Sequence, residues 1–294
     1  MSYGATPVDS AWIAANPLPV HGGGTTKNSR GRVLAIGGSG RVPGAIRLTG
    51  EAALRVGAGK LQMATIASAA TMLGLFVPEA AAIALPEDDD REIGEGAGPI
   101  VEQAMARCDT VVLGPGIARP EVAARLLGQV ISADPGEMIL VVDAMPIGAL
   151  RDLESQAAAL SGRLILTPHY GEMAVLAGCE EDAVADNPER FACDAAARFG
   201  AIVVLKGSST VIAGPDGAML HYGGGGTGLA TGGSGDVLAG AIAGLVARGA
   251  SPRVAAGWGV WLHGQSGRRV ATMSGPIGFL ARELPVEFPR LLPQ

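Results

Sequence analysis

Short runs of apolar residues alternate along the chain with longer segments whose apolar residues recur every three or four positions. The short runs have the length of buried strands, and the longer segments have the periodicity of amphipathic helices. Strands are predicted over Val33–Ile36, Leu61–Ile66, Thr110–Leu113, Met138–Val142, Leu164–Leu166 and Ile202–Leu205. Helices are predicted over Gly44–Val56, Pro120–Ile131, Gly171–Ala177, Pro188–Phe199, Asp236–Ala247 and Pro252–Ala271. This alternation indicates an α/β protein with a mostly parallel central sheet and helices on both faces.

Two segments do not follow this alternation of strands and helices. The runs Thr210–Ala213 and Ala218–His221 flank Pro215-Asp216-Gly217, which predicts a β-hairpin with a turn at its centre. Residues 1–29 show no periodic pattern and are predicted to form an N-terminal arm. No repeat or low-complexity linker divides the rest, so residues 30–294 are predicted to form one domain.

Composition excludes several kinds of partner. A net charge of -6 argues against nucleic acid or an anionic membrane. The uncharged stretch Leu61–Pro78 contains four polar residues and indicates a strand followed by a helix rather than a membrane span. The acidic run Glu87–Asp90 is predicted to be a solvated loop rather than a metal cluster. With no signal peptide and no CxxC spacing, the chain is expected in a reducing cytoplasm, without zinc or disulfides among Cys108, Cys179 and Cys193.

A glycine-rich turn made of Gly232, Gly233, Ser234 and Gly235 precedes a predicted helix. A turn of this kind leaves backbone N–H groups free at the positive end of the helix dipole, which suits a phosphate. Asp236 follows directly and is placed to act as a general base for a hydroxyl that attacks the phosphate. A helix cap at Asp236 is the other interpretation, and the turn alone leaves both open.

Lys206 is one of only three lysines, against nineteen arginines, and it ends a predicted buried strand. The residues after it, Gly207, Ser208, Ser209 and Thr210, supply hydroxyl and N–H groups. An ordinary solvent-exposed strand end is one interpretation of this lysine. The polar residues that follow Lys206 favour a second interpretation, in which this segment is a nucleotide-binding loop.

Five motifs, spread in order over about residues 30 to 285, resemble those of the ADP-dependent NAD(P)H-hydrate dehydratase family. They are Arg32–Gly40 followed by Pro43-Gly44-Ala45, then Leu113–Ile117, Leu166–Met173, Lys206–Thr210 and Gly228–Gly240. Each motif by itself has little specificity, whereas five in sequence are specific. The resemblance implies a ribokinase-like three-layer sandwich.

The resemblance also implies roles for individual residues. Contacts with the hydrated nicotinamide nucleotide are implied for Ala45, Gly116, His169 and Asp236. Contacts with ADP, or with the AMP left after reaction, are implied for Lys206, Gly207, Ser208, Ser209, Thr210 and Gly235. Taken without the resemblance, Ala45 is helix packing, Gly116 is a turn glycine and His169 is a helix cap.

The implied reaction repairs the S-epimers of hydrated NADH and NADPH, called NADHX and NADPHX. Asp236 takes the proton of the 6-hydroxyl group, which attacks the β-phosphorus of ADP, and AMP and phosphate are released as NADH or NADPH re-forms. The resemblance implies Mg²⁺ held mainly by the phosphates, a homotetramer, and a separate epimerase, because only about 30 residues precede the first predicted strand.

Three segments depart from the family pattern. Gly225–Gly228 stands where the family has Gly-Asn-Pro-Gly, and Tyr170 stands where it has proline. The segment Asp143–Gly148 lacks a second aspartate and an asparagine. These departures concern the hydrated-cofactor side more than the ADP side.

Two alternatives from other functional classes remain at this stage. A small-molecule kinase, for a vitamin precursor or a sugar, would share the Gly-x-Gly-Asp helix start. A nucleotide-binding member that has lost catalysis would explain the altered Met145–Gly148 loop, although Asp236 is retained. A dinucleotide-binding turn at Gly37–Gly40 fails on spacing, because Pro43 occupies the third glycine position.

Overall fold

A single sheet of ten strands crosses the part of the chain that the computed structural model describes, residues 4–133 and 136–293. Its order is β1-β10-β9-β8-β7-β6-β5-β2-β3-β4, and only the pairings of β9 with β8 and β10 are antiparallel. The mostly parallel α/β sheet is therefore confirmed. The strands are β1 (Thr6–Pro7), β2 (Arg32–Ile36), β3 (Lys60–Ile66), β4 (Ala80–Leu85), β5 (Thr110–Leu113), β6 (Ile139–Val142), β7 (Leu164–Leu166), β8 (Ile202–Leu205), β9 (Thr210–Ala213) and β10 (Met219–Tyr222).

Helices cover both faces of the sheet. They are α1 (Ser10–Ala15), α2 (Ala45–Arg55), α3 (Ala67–Phe76), α4 (Gly98–Met105), α5 (Pro120–Ser132), α6 (Pro146–Ala149), α7 (Glu154–Ala158), α8 (Tyr170–Ala177), α9 (Glu181–Asp186), α10 (Pro188–Phe199), α11 (Ser234–Ala247), α12 (Pro252–Ser274) and α13 (Leu284–Leu291). The period-two alternation of β2 divides the core: Leu34 and Ile36 pack with α4, α5 and α10, whereas Val33 and Ala35 pack with α2, α11 and α12. The three-layer arrangement is confirmed.

The predicted N-terminal arm contains regular structure. Its short strand β1 pairs with β10, and the Asn16 carbonyl accepts a hydrogen bond from the Trp258 indole at 2.7 Å. A strand of two residues and a helix of six are too short to show a period in the sequence. The boundary at residue 29 stays a prediction.

The other elements that the pattern missed are short or lack typical residues. Strand β4 has the sequence AAAIAL, which has almost no β-branched or aromatic residues. Helices α4, α6, α7, α9 and α13 have at most eight residues each. The stretch Leu61–Pro78 forms most of β3 and all of α3, as predicted, and no helix among the described residues is long and apolar enough to cross a membrane.

Close packing of α2 on α11 fixes the position of the glycine-rich turn. A Cβ atom added at Gly240 would lie 2.1 Å from the Thr49 carbonyl oxygen, and one at Gly244 would lie 2.6 Å from the Ala53 oxygen. The two helices therefore run side by side with their N-termini at the same edge of the sheet. Glycine is needed at these positions because the neighbouring atoms are backbone.

This packing predicts opposite effects for two Gly→Ala substitutions within helices. Gly240→Ala is expected to lower the free energy of unfolding by about 1–3 kcal/mol, because a methyl group forces the helices apart. Gly128→Ala in α5, where a Cβ atom meets nothing within 4 Å, is expected to raise it by about 0.5–1 kcal/mol. Urea denaturation of both variants tests this, and a gain in stability for Gly240→Ala would contradict the close packing.

Candidate active site

A cavity of about 1090 Å³ opens at the carboxyl ends of the parallel strands. Asp143 follows β6, Lys206 follows β8, and both line this cavity together with the start of α11. In α/β sheets of this kind, ligands bind outside the carboxyl ends of the strands. The predicted residues His169, Gly207, Ser208, Thr210, Gly233, Ser234, Gly235 and Asp236 also line the cavity.

Lys206 is held by two carboxylates. Its Nζ lies 3.0 Å from Asp143 Oδ1 and 3.9 Å from Glu172 Oε2, and its side chain is only 20% exposed. Burial lowers the pKa of the ammonium group, but Asp143 and Glu172 outweigh this and raise it overall. Asp143 is buried and also accepts a hydrogen bond from Thr167 Oγ1 at 2.6 Å. Lys206 is therefore a permanently charged group inside the site, and its interpretation as an exposed strand end is wrong.

The loop after Lys206 is tied to the neighbouring loop. The Lys206 N–H donates to the Pro168 carbonyl at 2.7 Å. A Cβ atom added at Gly207 would lie 2.3 Å from the Tyr170 hydroxyl oxygen, so the tyrosine that stands at the family's proline position packs on this glycine. A Cβ atom added at Gly235 would lie 3.2 Å from Lys206 Nζ, which places the ammonium group against the start of α11.

Three of the four residues in the glycine-rich turn have backbone amides without a backbone acceptor among the described residues. Gly233 is the N-cap of α11 with φ 89°, and the Ser234 N–H donates to the Thr231 carbonyl at 3.2 Å. No backbone acceptor is found among residues 4–133 and 136–293 for the N–H groups of Gly232, Gly233 and Gly235. Free amides at a helix start suit an anion, so the role of the turn as a phosphate cradle stays a prediction, and the Ser234 amide is already used within the turn.

Asp236 does not cap the helix. Its carboxylate takes part in no hydrogen bond among the described residues, and the N-cap is Gly233. Burial, reinforced by the negative charges of Asp143 and Glu172 and opposed by Lys206, raises the pKa of Asp236 to about 7. A free carboxylate with this pKa is suited to general-base chemistry near neutral pH.

His169 caps α8, as predicted when the family resemblance is left aside. Its Nδ1 accepts from the Glu172 N–H at 3.3 Å, and Glu172 Oε2 accepts from the His169 N–H at 2.8 Å, which completes a capping box. The imidazole is nevertheless 57% exposed and lines the cavity. Its role in binding the hydrated cofactor stays a prediction.

Ala45 and Gly116 lie close to each other. A Cβ atom added at Gly116, which has φ 75°, would lie 3.1 Å from Ala45 Cβ. Ala45 follows β2 and Gly116 follows β5, so both come after the carboxyl ends of parallel strands. Neither is among the residues that line the cavity around Asp236. Ser209 and Gly232 are likewise outside that lining.

Comparison with known proteins agrees with this geometry. Residues 33–290 match the profile of the family described as NAD(P)H-hydrate dehydratase. The ADP-dependent (S)-NAD(P)H-hydrate dehydratase of Xanthomonas campestris is 47% identical over 97% of this chain and 95% of its own. The chain belongs to the NAD(P)H-hydrate dehydratase family.

Solved structures confirm the ribokinase-like fold of this family member. The ADP/ATP-dependent NAD(P)H-hydrate dehydratase of Bacillus subtilis, co-crystallised with ATP and Mg²⁺, superimposes with a TM-score of 0.80 at 27% identity, covering 99% of this chain and 98% of that one. A ribokinase-like superfamily protein of Enterococcus faecalis gives a TM-score of 0.82 at 25% identity over 99% and 96% of the two chains. The chain spans about half the length of the bifunctional NAD(P)H-hydrate repair enzymes it matches, 51% of the one from Moorella thermoacetica.

No role in this dehydratase-family site is predicted from the sequence for four of its side chains, although Tyr170 and Asp143 lie in segments that depart from the family pattern. Asp143 and Glu172 hold Lys206, Tyr170 packs on Gly207, and His263 on α12 contacts Ser234. Asp143 directly follows a buried strand, and Glu172 stands three residues after His169, so position gave a signal for these two. His263 lies within a long helix and gave none.

Proposed function

We propose that this protein is an ADP-dependent dehydratase that repairs NADHX and NADPHX. The observation that carries the proposal is the placement of Asp236 at the start of α11, with a pKa of about 7, beside the amide cradle and Lys206. This arrangement brings a general base next to a site for a phosphate, which is what transfer of a phosphoryl group to a hydroxyl requires. The named dehydratase relatives support the choice of substrate.

We assign the two substrates to two neighbouring parts of the sheet edge formed by the carboxyl ends of the parallel strands. ADP lies along Lys206, Gly207, Ser208, Ser209 and Thr210, with its β-phosphate over Gly232–Gly235. The hydrated nicotinamide lies towards Ala45, Gly116 and His169, with its 6-hydroxyl group at Asp236. Ala45 and Gly116 lie close together after β2 and β5, whose carboxyl ends are at the same edge of the sheet as those of β6 and β8, and this supports placing the hydrated nicotinamide on their side.

The reaction then proceeds in two steps. Asp236 accepts the proton of the 6-hydroxyl group as its oxygen bonds to the β-phosphorus of ADP and the bond to AMP breaks. The cradle amides and Lys206 stabilise the charge on the transferred phosphoryl group. In the second step the C6–O bond breaks, phosphate leaves with the bonding electrons, a proton leaves C5, and the C5–C6 double bond of NADH or NADPH returns.

Mg²⁺ fits this site as a partner of the nucleotide rather than of the protein. No group of three histidine, cysteine or acidic side chains that could hold a metal occurs within residues 4–133 and 136–293. The carboxylates of Asp143 and Glu172 are engaged with Lys206. The ion would neutralise phosphate charge while held by phosphate oxygens and water.

The proposed assembly is a cytoplasmic homotetramer that works beside a separate epimerase. Exposed apolar side chains on α3 support an interface between subunits, since Met72, Leu75 and Phe76 are 58%, 77% and 55% exposed. Exposed apolar patches of this kind commonly mark contact sites between proteins. Sedimentation equilibrium of the full chain, with Leu75→Glu as the disrupting variant, tests the tetramer.

Incubation of the protein with NADHX and ADP tests the reaction itself. We expect absorbance of reduced nicotinamide to return while AMP and phosphate form in equal amounts. In a thermal-denaturation experiment, ADP at about 100 times its Kd should stabilise the fold by roughly 2.7 kcal/mol. If NADHX stays inert and a vitamin precursor or sugar added in its place accumulates as a stable phosphorylated product, the protein is a small-molecule kinase. No adenine-nucleotide binding at all would exclude both enzymes.

The pH dependence follows from the pKa of Asp236. The base must be ionised, and the pKa of the free enzyme governs kcat/KM, so kcat/KM should rise about tenfold per pH unit at low pH and level off above about 7. Steady-state rates from pH 5 to 9 measure this. A profile that stays flat down to pH 5 would contradict the assignment of Asp236 as the base.

A further inference from the structure

A histidine on α12 reaches the glycine-rich turn. His263 Nε2 lies 2.9 Å from Ser234 Oγ and 3.1 Å from the Ser234 carbonyl oxygen. Both residues line the cavity that holds Asp236 and Lys206. The pairing joins positions 29 residues apart, so it is made by tertiary packing of α12 against α11 and not by local structure.

The contacts of this histidine favour one tautomer. A carbonyl oxygen only accepts hydrogen bonds, so the approach of Nε2 to the Ser234 carbonyl places the ring proton on Nε2. Burial, aided by the charge of Lys206 and opposed by the hydrogen bond with Ser234, lowers the pKa of His263 to about 4. The ring is therefore neutral at pH 7 and carries a single proton, which Nε2 shares between the two serine oxygens.

The direction of the Ser234 hydroxyl proton follows from this tautomer. Since Ser234 Oγ accepts from His263, its own proton points away from the ring. The Ser234 N–H is already donated to Thr231. Ser234 can thus contribute to the cradle only through its hydroxyl group, which is left free to donate to a ligand oxygen.

We propose that His263 is a positioning residue that holds the Ser234 hydroxyl as a hydrogen-bond donor to the β-phosphate of ADP. The inference rests on the proposed function for the identity of the ligand. It gives the cradle a fourth donor, beside the amides of Gly232, Gly233 and Gly235. It also links His263 on α12 to the recognition of ADP over AMP.

Calorimetric affinities for ADP and AMP test the pairing without any catalysis. Ser234→Ala should weaken ADP binding by about tenfold or more, as for a lost hydrogen bond to a charged group, and leave AMP binding unchanged. His263→Phe keeps the ring and should have the same effect. The double variant should be no weaker than either single one, and His263→Gln, whose amide can donate from the same place, should recover most of the affinity. His221→Phe on β10, outside the cavity, is the matched control.

Two results would overturn the proposal. One is an equal loss of ADP and AMP affinity in His263→Phe, which would indicate a structural role only. The other is additive losses in the double variant, which would show that the two side chains act independently. If the wild-type protein binds ADP but does not dehydrate NADHX, the proposed function fails, and the ADP–AMP difference still decides the role of Ser234 and His263.

Discussion

Asp236→Asn is expected to reduce turnover by about 10²–10⁴-fold, the range for a positioned general base, while ADP still binds. The amide is nearly the same size as the carboxylate but does not accept the hydroxyl proton. Because Gly233 and not Asp236 caps α11, the substitution removes no helix cap. The loss should therefore appear in the chemical step, which single-turnover experiments with saturating ADP isolate.

The same substitution should stabilise the fold at alkaline pH. The pKa of Asp236 is about 7 in the folded protein, and an unfolded aspartate titrates near its ordinary value of about 3.9. A raised carboxyl pKa means that stability is greatest at low pH and is lost as pH rises from about 4 to about 7. Asparagine has no such loss, and each pKa unit corresponds to about 1.4 kcal/mol, so we expect Asp236→Asn to be more stable than wild type by about 1–4 kcal/mol at pH 8 and equal to it near pH 4.

Asp182→Asn provides the control for both effects. Asp182 also lies in the first turn of a helix, α9, but it is exposed and is not among the residues that line the cavity. Its substitution should change neither turnover nor the pH dependence of stability. If the turnover of Asp236→Asn is within a few-fold of wild type, Asp236 is not the general base.

Much of the fold is predictable because the parallel strands are buried on both faces. Runs such as Val33–Ile36 and Thr110–Leu113 are apolar at almost every position, and the helices between them keep a clear helical period. Strand β4 escapes prediction because its alanines suit a helix as well as a strand. Its place at the sheet edge next to β3 is a tertiary outcome that local preference does not specify.

The parts of the site that are contiguous in the chain can be predicted from the sequence, whereas the parts formed by tertiary contacts cannot. The glycine-rich turn and the residue after it are contiguous in the chain, so their chemistry is visible in the sequence. The ion pair of Lys206 with Asp143 joins residues 63 apart. Nor does the sequence show that Ser234 uses its amide for Thr231, because that hydrogen bond depends on how the turn closes.

Lys206→Met is expected to lower both stability and ADP affinity. Asp143 is only 3% exposed, and loss of its cationic partner leaves a buried charge uncompensated, which costs about 3 kcal/mol. ADP should bind about 10- to 100-fold more weakly, because a charged hydrogen-bond donor to phosphate is lost. Lys206 also lowers the pKa of Asp236, so the midpoint of the pH–rate profile should move upwards in this variant.

The double variant Lys206→Met/Asp143→Asn separates the structural part from the functional part. Removal of both charges should restore most of the free energy of unfolding, because no unpaired charge stays at the Asp143 position. It should not restore ADP affinity, since the phosphates still lack their cation. Denaturation and calorimetry on the two single variants and the double variant measure both quantities. If ADP affinity returns together with stability, Lys206 serves only to neutralise Asp143, and the phosphate must be held by the cradle of α11 alone.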